Sequence, residues 1–328
     1  MRYLASEKVS HIRPLDARRD LSAVADLMEL CFSSTLDPDG REYLRHIRQA
    51  AADPALVRWT FWRGERISSP LFGFVWEQDH RLVGNLSLIP IAKGGKWIFM
   101  IANVAVHPDY RRRGIARELT LRALEYIRER GVKSAWLQVR DDNAPAYNLY
   151  ASVGFVERSR RSTWLSNGVP DLIPPVGVEV GPREPTDWPL QRRWLELNYP
   201  PDTTWNMSFE VNHFHPAWWN RLWMWLNGNS QLHWAARYHA NGRQPAQTLG
   251  FASWEPIRGF SDMLWVASPP EHDDAALRAL LPAALHHFQY RHRPVSVNYP
   301  FGRGVDAFQA CQFSLQNTLV WMEYLCRE

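Results

Sequence analysis

The residues best placed for chemistry lie between Ile101 and Phe155. An apolar run, Val104-Ala105-Val106, leads through His107-Pro108-Asp109-Tyr110 into Arg111-Arg112-Arg113-Gly114-Ile115-Ala116. A periodic helical stretch then begins. The first N–H groups of a helix have no partner within it, and with the helix dipole they attract anions. Gly114 and Ala116 are small enough for a phosphate to approach the backbone, and three arginines add positive charge. The pattern predicts a pyrophosphate site at residues 111–116. A solvated basic turn is the plainer alternative for Arg111, Arg112 and Arg113. His107, next to Pro108, reads as a turn residue rather than a base.

About thirty residues on stands Asn143-Ala144-Pro145-Ala146-Tyr147-Asn148-Leu149-Tyr150-Ala151-Ser152-Val153-Gly154-Phe155. Together the two segments resemble the GNAT superfamily of N-acetyltransferases. The first is similar to its acyl-CoA signature, R-x-x-G-x-A after a strand. The second is similar to its N-x-x-A-x-x-L-Y-x-x-x-G-F segment. The likeness spans residues 10–165 in element order and is sharp over 101–155.

The resemblance implies roles. Backbone at Val104, Ala105 and Val106 would pair with the pantetheine arm of acetyl-CoA. Backbone N–H groups from Arg112 through Gly114 and Ile115 to Ala116 would hold its pyrophosphate. Asn143 would touch the cofactor arm, or else only cap a helix. Tyr150 would protonate the departing thiolate, which a phenol can do; its alternative is a ring packed under the sheet. Where some relatives carry a glutamate base, this chain has Met100. Glu77 and Asp79 are the nearest carboxylate candidates, and each also reads as an ordinary surface acid.

The elements that must position these residues follow from periodicity. Strands are predicted at residues 12–15, 71–77, 82–89, 97–106, 134–139 and 155–165, with a hairpin at Asp79-His80-Arg81. Helices are predicted at 20–32, 41–52, 115–130 and from Pro145 to Gly154. Ile115, Leu119, Ala123 and Ile127 give the third helix a buried stripe, and Gly131 ends it. This order predicts an α+β GNAT fold, a mixed central sheet flanked by helices.

Residues 167–177 contain Gly168, Pro170, Pro174 and Pro175 and read as a linker. That divides the chain into a catalytic domain, 1–166, and a second domain, 178–328. The second half repeats the element order, predicting two copies in tandem. Its corresponding turn, Ser268-Pro269-Pro270-Glu271-His272-Asp273-Asp274, is acidic and would repel pyrophosphate. Gln312-Phe313 stands where Gly-Phe is expected. The second copy is therefore read as degenerate, lining a substrate pocket or serving structure. Trp218 to Leu226 is rich in tryptophan, as a pocket wall or a helix buried between domains.

Composition bounds the rest. The 328 residues suit two domains, with 45% apolar and 22% charged residues. No run of 18 apolar residues exists, so no membrane-spanning helix is expected. Cys31, Cys311 and Cys326 are scattered, suggesting neither a disulfide framework nor a metal site and pointing to a reducing cytoplasm. His213-x-His215 lacks further metal ligands nearby. The net charge of +4 rests mostly on arginine; this reads as composition bias rather than nucleic-acid binding. The expected partner is a small-molecule amine, with a homodimer compatible. The competing readings are an acyl-CoA-binding sensor without turnover and a protein- or RNA-modifying acetyltransferase.

Overall fold

The computed structural model describes residues 11–52, 72–93, 96–204, 207, 209–217, 231–240, 245–257, 259–291 and 293–326. Trp218 to Leu226 lies outside the described residues. Contacts divide the chain into two compact units. The first holds residues 1–139, 143–158 and 321–328; the second holds 140–142 and 159–320. The packing therefore does not divide at 167–177. The strand at 156–166 crosses from one unit to the other, and the last residues return to the first. A linker read from prolines and glycines cannot show such an exchange, because each segment alone looks like an ordinary strand.

The first unit begins with β1 (Ile12–Pro14), α1 (Ala17–Phe32) and α2 (Pro38–Ala52). Then come β2 (Gly73–Gln78), β3 (Arg81–Lys93), β4 (Lys96–Val106), α3 (Ile115–Glu129), β5 (Ser134–Arg140) and α4 (Ala144–Val153). The strand β6 (Val156–Ser166) follows. Helix α1 starts three residues before the expected 20, because the Asp16 carboxylate accepts the Arg18 N–H and caps it there. The strands run in the order β1-β2-β3-β4-β5, antiparallel except for the parallel pair β4–β5.

Side chains alternate across the sheet, which divides its two faces between helices. Val75 packs with Leu21, Val24 and Met28 of α1 and Leu44 and Ile47 of α2. Its neighbour Phe74 points the other way, edge-on to Tyr126 of α3 and under Arg122. The predicted stripe Ile115, Leu119, Ala123 and Ile127 is buried. Gly84 lets α3 come this close: a Cβ there would stand 2.9 Å from Ile115 Cγ2 and 3.0 Å from Trp76 Cβ.

The second unit contains β7 (Val178–Pro182), α5 (Trp188–Asn198), α6 (Pro201–Thr204), β8 (Leu232–Tyr238), β9 (Gln247–Glu255) and β10 (Asp262–Ala267). These are followed by α7 (Asp273–Phe288), β11 (Val295–Pro300), α8 (Val305–Ala310) and β12 (Phe313–Leu325). Its strand order is β7-β8-β9-β10-β11-β6, again with one parallel pair, β10–β11. The element order of the first unit is thus repeated. Helix α7 is apolar nearly all round and buried among Trp254, Leu264, Val297 and Phe308. Among the described residues no helix is long and apolar enough to cross a membrane.

Leu119 is fully buried beneath the sheet. Leu119→Ala is expected to destabilise the chain by about 2–5 kcal/mol, read as a lower midpoint in chemical denaturation.

Candidate active site

Strands β4 and β5 pair only from Phe99↔Ala135 to Ile101↔Leu137. Both continue, β4 to Val106 and β5 to Arg140. Beyond Ile101 the edge of β4 that faces β5 therefore lacks a strand partner, although Asn103 O and Val106 O accept from side chains; an extended guest could add there in the manner of a strand. Ala105 is buried, while Val104 and Val106 are half-buried.

At the end of β4 the chain makes one 3-10 turn, Pro108–Tyr110, and enters α3 through Arg111-Arg112-Arg113-Gly114. All four of those residues are exposed. Arg112 (φ +64°) and Gly114 (φ +81°) are left-handed, which folds the backbone into a tight concave corner. A Cβ on Gly114 would meet nothing within 4 Å, so the glycine is there for its backbone conformation. No side chain caps the helix at Gly114. The first N–H groups, at Ile115 and Ala116, thus remain available to an anion. Ile115 itself is buried and anchors the helix start.

The arginines sort by contact. Arg111 Nε donates to Val106 O at 3.1 Å, and an Arg113 terminal nitrogen donates to Asp109 O at 2.9 Å. Arg113 also lies 4.9 Å from the Tyr110 ring centroid. Two of the three guanidinium groups are thus held against the turn, adding charge beside the helix start. His107 is a turn residue: its Nδ1 accepts the Asp109 N–H at 3.3 Å and its ring meets Tyr110 edge-on.

Asn143 caps α4, accepting the Ala146 N–H at 3.2 Å. That is the capping alternative, and its amide nitrogen is left for other contacts. Tyr150 sits in the last turn of α4 with 7% exposure, edge-on to Phe155 at 5.9 Å. The Gly-Phe pair has a clear reason. Gly154 (φ +108°) closes α4 in the left-handed conformation, and Phe155 N–H returns to Tyr150 O at 3.0 Å. Burial pushes the Tyr150 hydroxyl well above the ordinary phenol range, so it stays protonated. Tyr147 instead donates to Glu157 at 3.1 Å. Helices α3 and α4 are in contact, so the exposed turn and the tyrosine helix belong to one packed region.

Glu77 is engaged by two arginines. Arg13 Nε and Arg19 approach its carboxylate at 2.6 and 2.8 Å, and the Arg13 hydrogen bond holds it below the usual carboxylate range. The same Arg13 grips buried Asp20 through two hydrogen bonds, tying β1, β2 and α1 together. Asp79 stands exposed at the hairpin tip. Met100 is half-buried in β4.

Periodicity could not reveal the polar cluster around Asn103. This residue has φ +53° in mid-strand, and its amide reaches Tyr43 and Ser87.

The family of residues 24–155 follows from a direct match: they fit the model of the Acetyltransferase (GNAT) family. This segment is a GNAT acetyltransferase domain. The chain is 44% identical over 73 residues to the ribosomal protein bS18-alanine N-acetyltransferase of Escherichia coli (strain K12), covering 22% of this chain and 49% of that relative. It is 35% identical over 91 residues to a mycothiol acetyltransferase of Thermobifida fusca, covering 28% of this chain and 26% of that one. The chain thus spans half or less of these curated relatives' length. A GCN5-related N-acetyltransferase from Sphaerobacter thermophilus superposes with TM-score 0.58 at 15% identity, covering 97% of this chain and 96% of that one. A tandem GNAT protein from the clavulanic acid biosynthesis pathway gives TM-score 0.50 at 20% identity, covering 97% and 98%. The fold is therefore GNAT in tandem, and the GNAT signature lies in the first copy.

The second unit repeats the diverging strands: β10 and β11 pair only at Asp262↔Val295 and Met263↔Ser296. Beyond that point its own polar side chains bond to one another, beside a cavity of about 520 Å³ lined by Asp273, Arg303 and Gly304. Arg303 donates to both Asp273 oxygens, at 2.6 and 2.8 Å, to Asn198 Oδ1 at 2.9 Å and to Ser268 O at 3.1 Å. Tyr299 donates to Asp273 at 2.6 Å. Gln312 (φ +60°) adopts the left-handed conformation that Gly154 has in the first copy. His213 faces Glu210 at 3.3 Å, and His215 accepts the Ala217 N–H, so both have structural partners. No group of three or more metal-ligating side chains occurs among the described residues.

Gly114→Val forces a β-branched residue into the left-handed region. Calorimetric titration of this variant is expected to show roughly tenfold or greater loss of CoA affinity, in line with a distorted anion-binding turn.

Proposed function

We propose that the first unit moves an acetyl group from acetyl-CoA to a primary amine by direct attack, with Tyr150 as general acid. The observation that carries this reading is the end of β4, parted from β5, running into an uncapped helix start. An extended amide-bearing arm suits the strand edge, and a pyrophosphate suits the N–H groups at 112–116. GNAT acetyltransferases draw on acetyl-CoA, and the residues here fit that donor.

The neutral amine attacks the thioester carbonyl and a C–N bond forms. Positioning of the two reactants supplies much of the rate. Backbone N–H groups near Val104–Val106 stabilise the developing oxyanion. As the C–S bond breaks, the Tyr150 hydroxyl hands its proton to sulfur. The amine's surplus proton leaves through water, because Met100 stands in β4 and Glu77 is held by two arginines.

The second unit is proposed as a degenerate copy that does not bind CoA, since the Arg303–Asp273 pair stands among its diverging strands. The acceptor is proposed to be a small-molecule amine. The named relatives act on an alanine of a ribosomal protein and on mycothiol, so peptides with an N-terminal alanine belong in the same test. Cytoplasm is the proposed location, in keeping with three free thiols. The hold of two arginines on Glu77 favours one competing reading, an acyl-CoA sensor without turnover.

A thiol-release assay over an amine panel decides between them. Turnover of at least one amine is expected, and binding without turnover on every amine would favour the sensor. Tyr150→Phe is expected to lower kcat by about 10²–10⁴-fold with little change in acetyl-CoA affinity. The raised pKa gives a second expectation. A phenol held protonated by burial causes no loss of rate as pH rises through the ordinary phenol value near 10, so the alkaline limb is flat for as long as the protein stays folded.

A further inference from the structure

The β3–β4 ladder breaks at one place. Gly84 pairs with Val106 and Asn85 with Ala105, but Ser87 pairs with Ala102. Two residues advance on β3 while three are used on β4, so β4 carries one extra residue, a bulge. Asn103 lies within it at φ +53°. Among residues with side chains, asparagine is one of the few that tolerates this conformation.

Four polar side chains from three elements surround the bulge. The Asn103 amide nitrogen donates to Tyr43 Oη of α2 at 2.9 Å and to Ser87 Oγ of β3 at 3.2 Å. The Asn85 amide nitrogen donates to the Asn103 carbonyl at 2.9 Å. Asn85 and Ser87 are fully buried. Within this cluster Asn85 Oδ1 has no hydrogen-bond partner. An unsatisfied buried oxygen is a standing cost in a sheet that apolar residues would fill more cheaply. The cluster is thus better explained by the backbone geometry it imposes than by stability.

That geometry matters because of its place. The bulge falls just past Ile101, where β4 parts from β5, and just before Val104–Val106. An extra residue here rotates the following backbone relative to the sheet. Burial pushes the Tyr43 hydroxyl up to about 12, so it remains a neutral hydrogen-bonding group throughout the working pH range.

We propose that Asn103 is a positioning residue, whose amide, clamped between Tyr43 and Ser87, sets the β4 bulge and so aims the Val104–Val106 backbone at the acyl donor. This rests on the acyl-transfer reading above for its kinetic consequence, while the geometry it claims is independent of turnover.

The test compares Asn103→Ala, Asn103→Gly and Tyr43→Phe in the full chain. Glycine keeps the left-handed conformation but lacks the amide; alanine lacks both. Asn103→Ala is expected to lower kcat roughly a hundredfold, as a misplaced reacting group does, with a much smaller change in KM for acetyl-CoA. Asn103→Gly is expected to recover most of that loss, and Tyr43→Phe to fall between. Backbone amide resonances of Val104–Val106 are expected to shift in the alanine variant and to return toward wild type in the glycine variant. Unchanged kcat in Asn103→Ala, or losses of kcat and melting temperature shared equally by both variants, would overturn the proposal. If the wild-type chain turns over no amine, the acyl-transfer reading fails, and the amide resonances alone decide the role of Asn103. Resonances unmoved in the alanine variant would then reject it.

Discussion

Backbone N–H and C=O groups that leave a sheet must find partners elsewhere, and β4 leaves its neighbour β5 after Ile101. Everything distinctive about the first unit follows from that separation. The sheet is held together below it by Phe99, Met100 and Ile101 in register with β5. Above it, the strand is kinked at Asn103 and ends in a turn whose left-handed residues present the start of α3. Gly84 allows α3 to lie close to the sheet, so the exposed turn is anchored by the buried stripe beneath it. The open part of the site is thus carried by a helix whose inner face is buried.

The second unit answers the same constraint differently. Its parallel strands also separate, after Met263 and Ser296. There, Arg303, Asp273, Tyr299 and Ser268 satisfy one another. Arg161, almost fully buried, adds hydrogen bonds to Asn198 O and to Asn298. The Asp273 carboxylate is buried while Arg303 is half-buried, so removing Arg303 would leave a buried charge without its counter-ion. One fold therefore carries an open strand edge in one copy and a charged hydrogen-bonded network in the other. The difference traces to residue type: arginines and glycine precede α3, whereas aspartates begin α7.

Much of this was legible in the sequence, for physical reasons. The stripe of α3, the glycines ending α3 and α4, and the Arg-rich turn are local features, and local chemistry fixes them. The repeated element order was also visible, even to Gln312 taking the place of a glycine. Other features depend on partners far along the chain. The exchange of residues 159–166 and 321–328 between units is invisible to any linker signal. The Asn103 bulge needs Tyr43 from α2 and Asn85 and Ser87 from β3. Glu77 looked like an ordinary acid until Arg13 and Arg19, some sixty residues earlier, were seen to hold it. Asn143 kept two readings because capping and ligand contact use the same side chain.

Acyl-CoA is proposed to bind the first unit alone. Calorimetric titration of the full chain with acetyl-CoA tests it most directly. Saturable binding with one site per chain is expected, unaltered when Arg303 is replaced by lysine. No saturable binding, or two equivalent sites per chain, would contradict it.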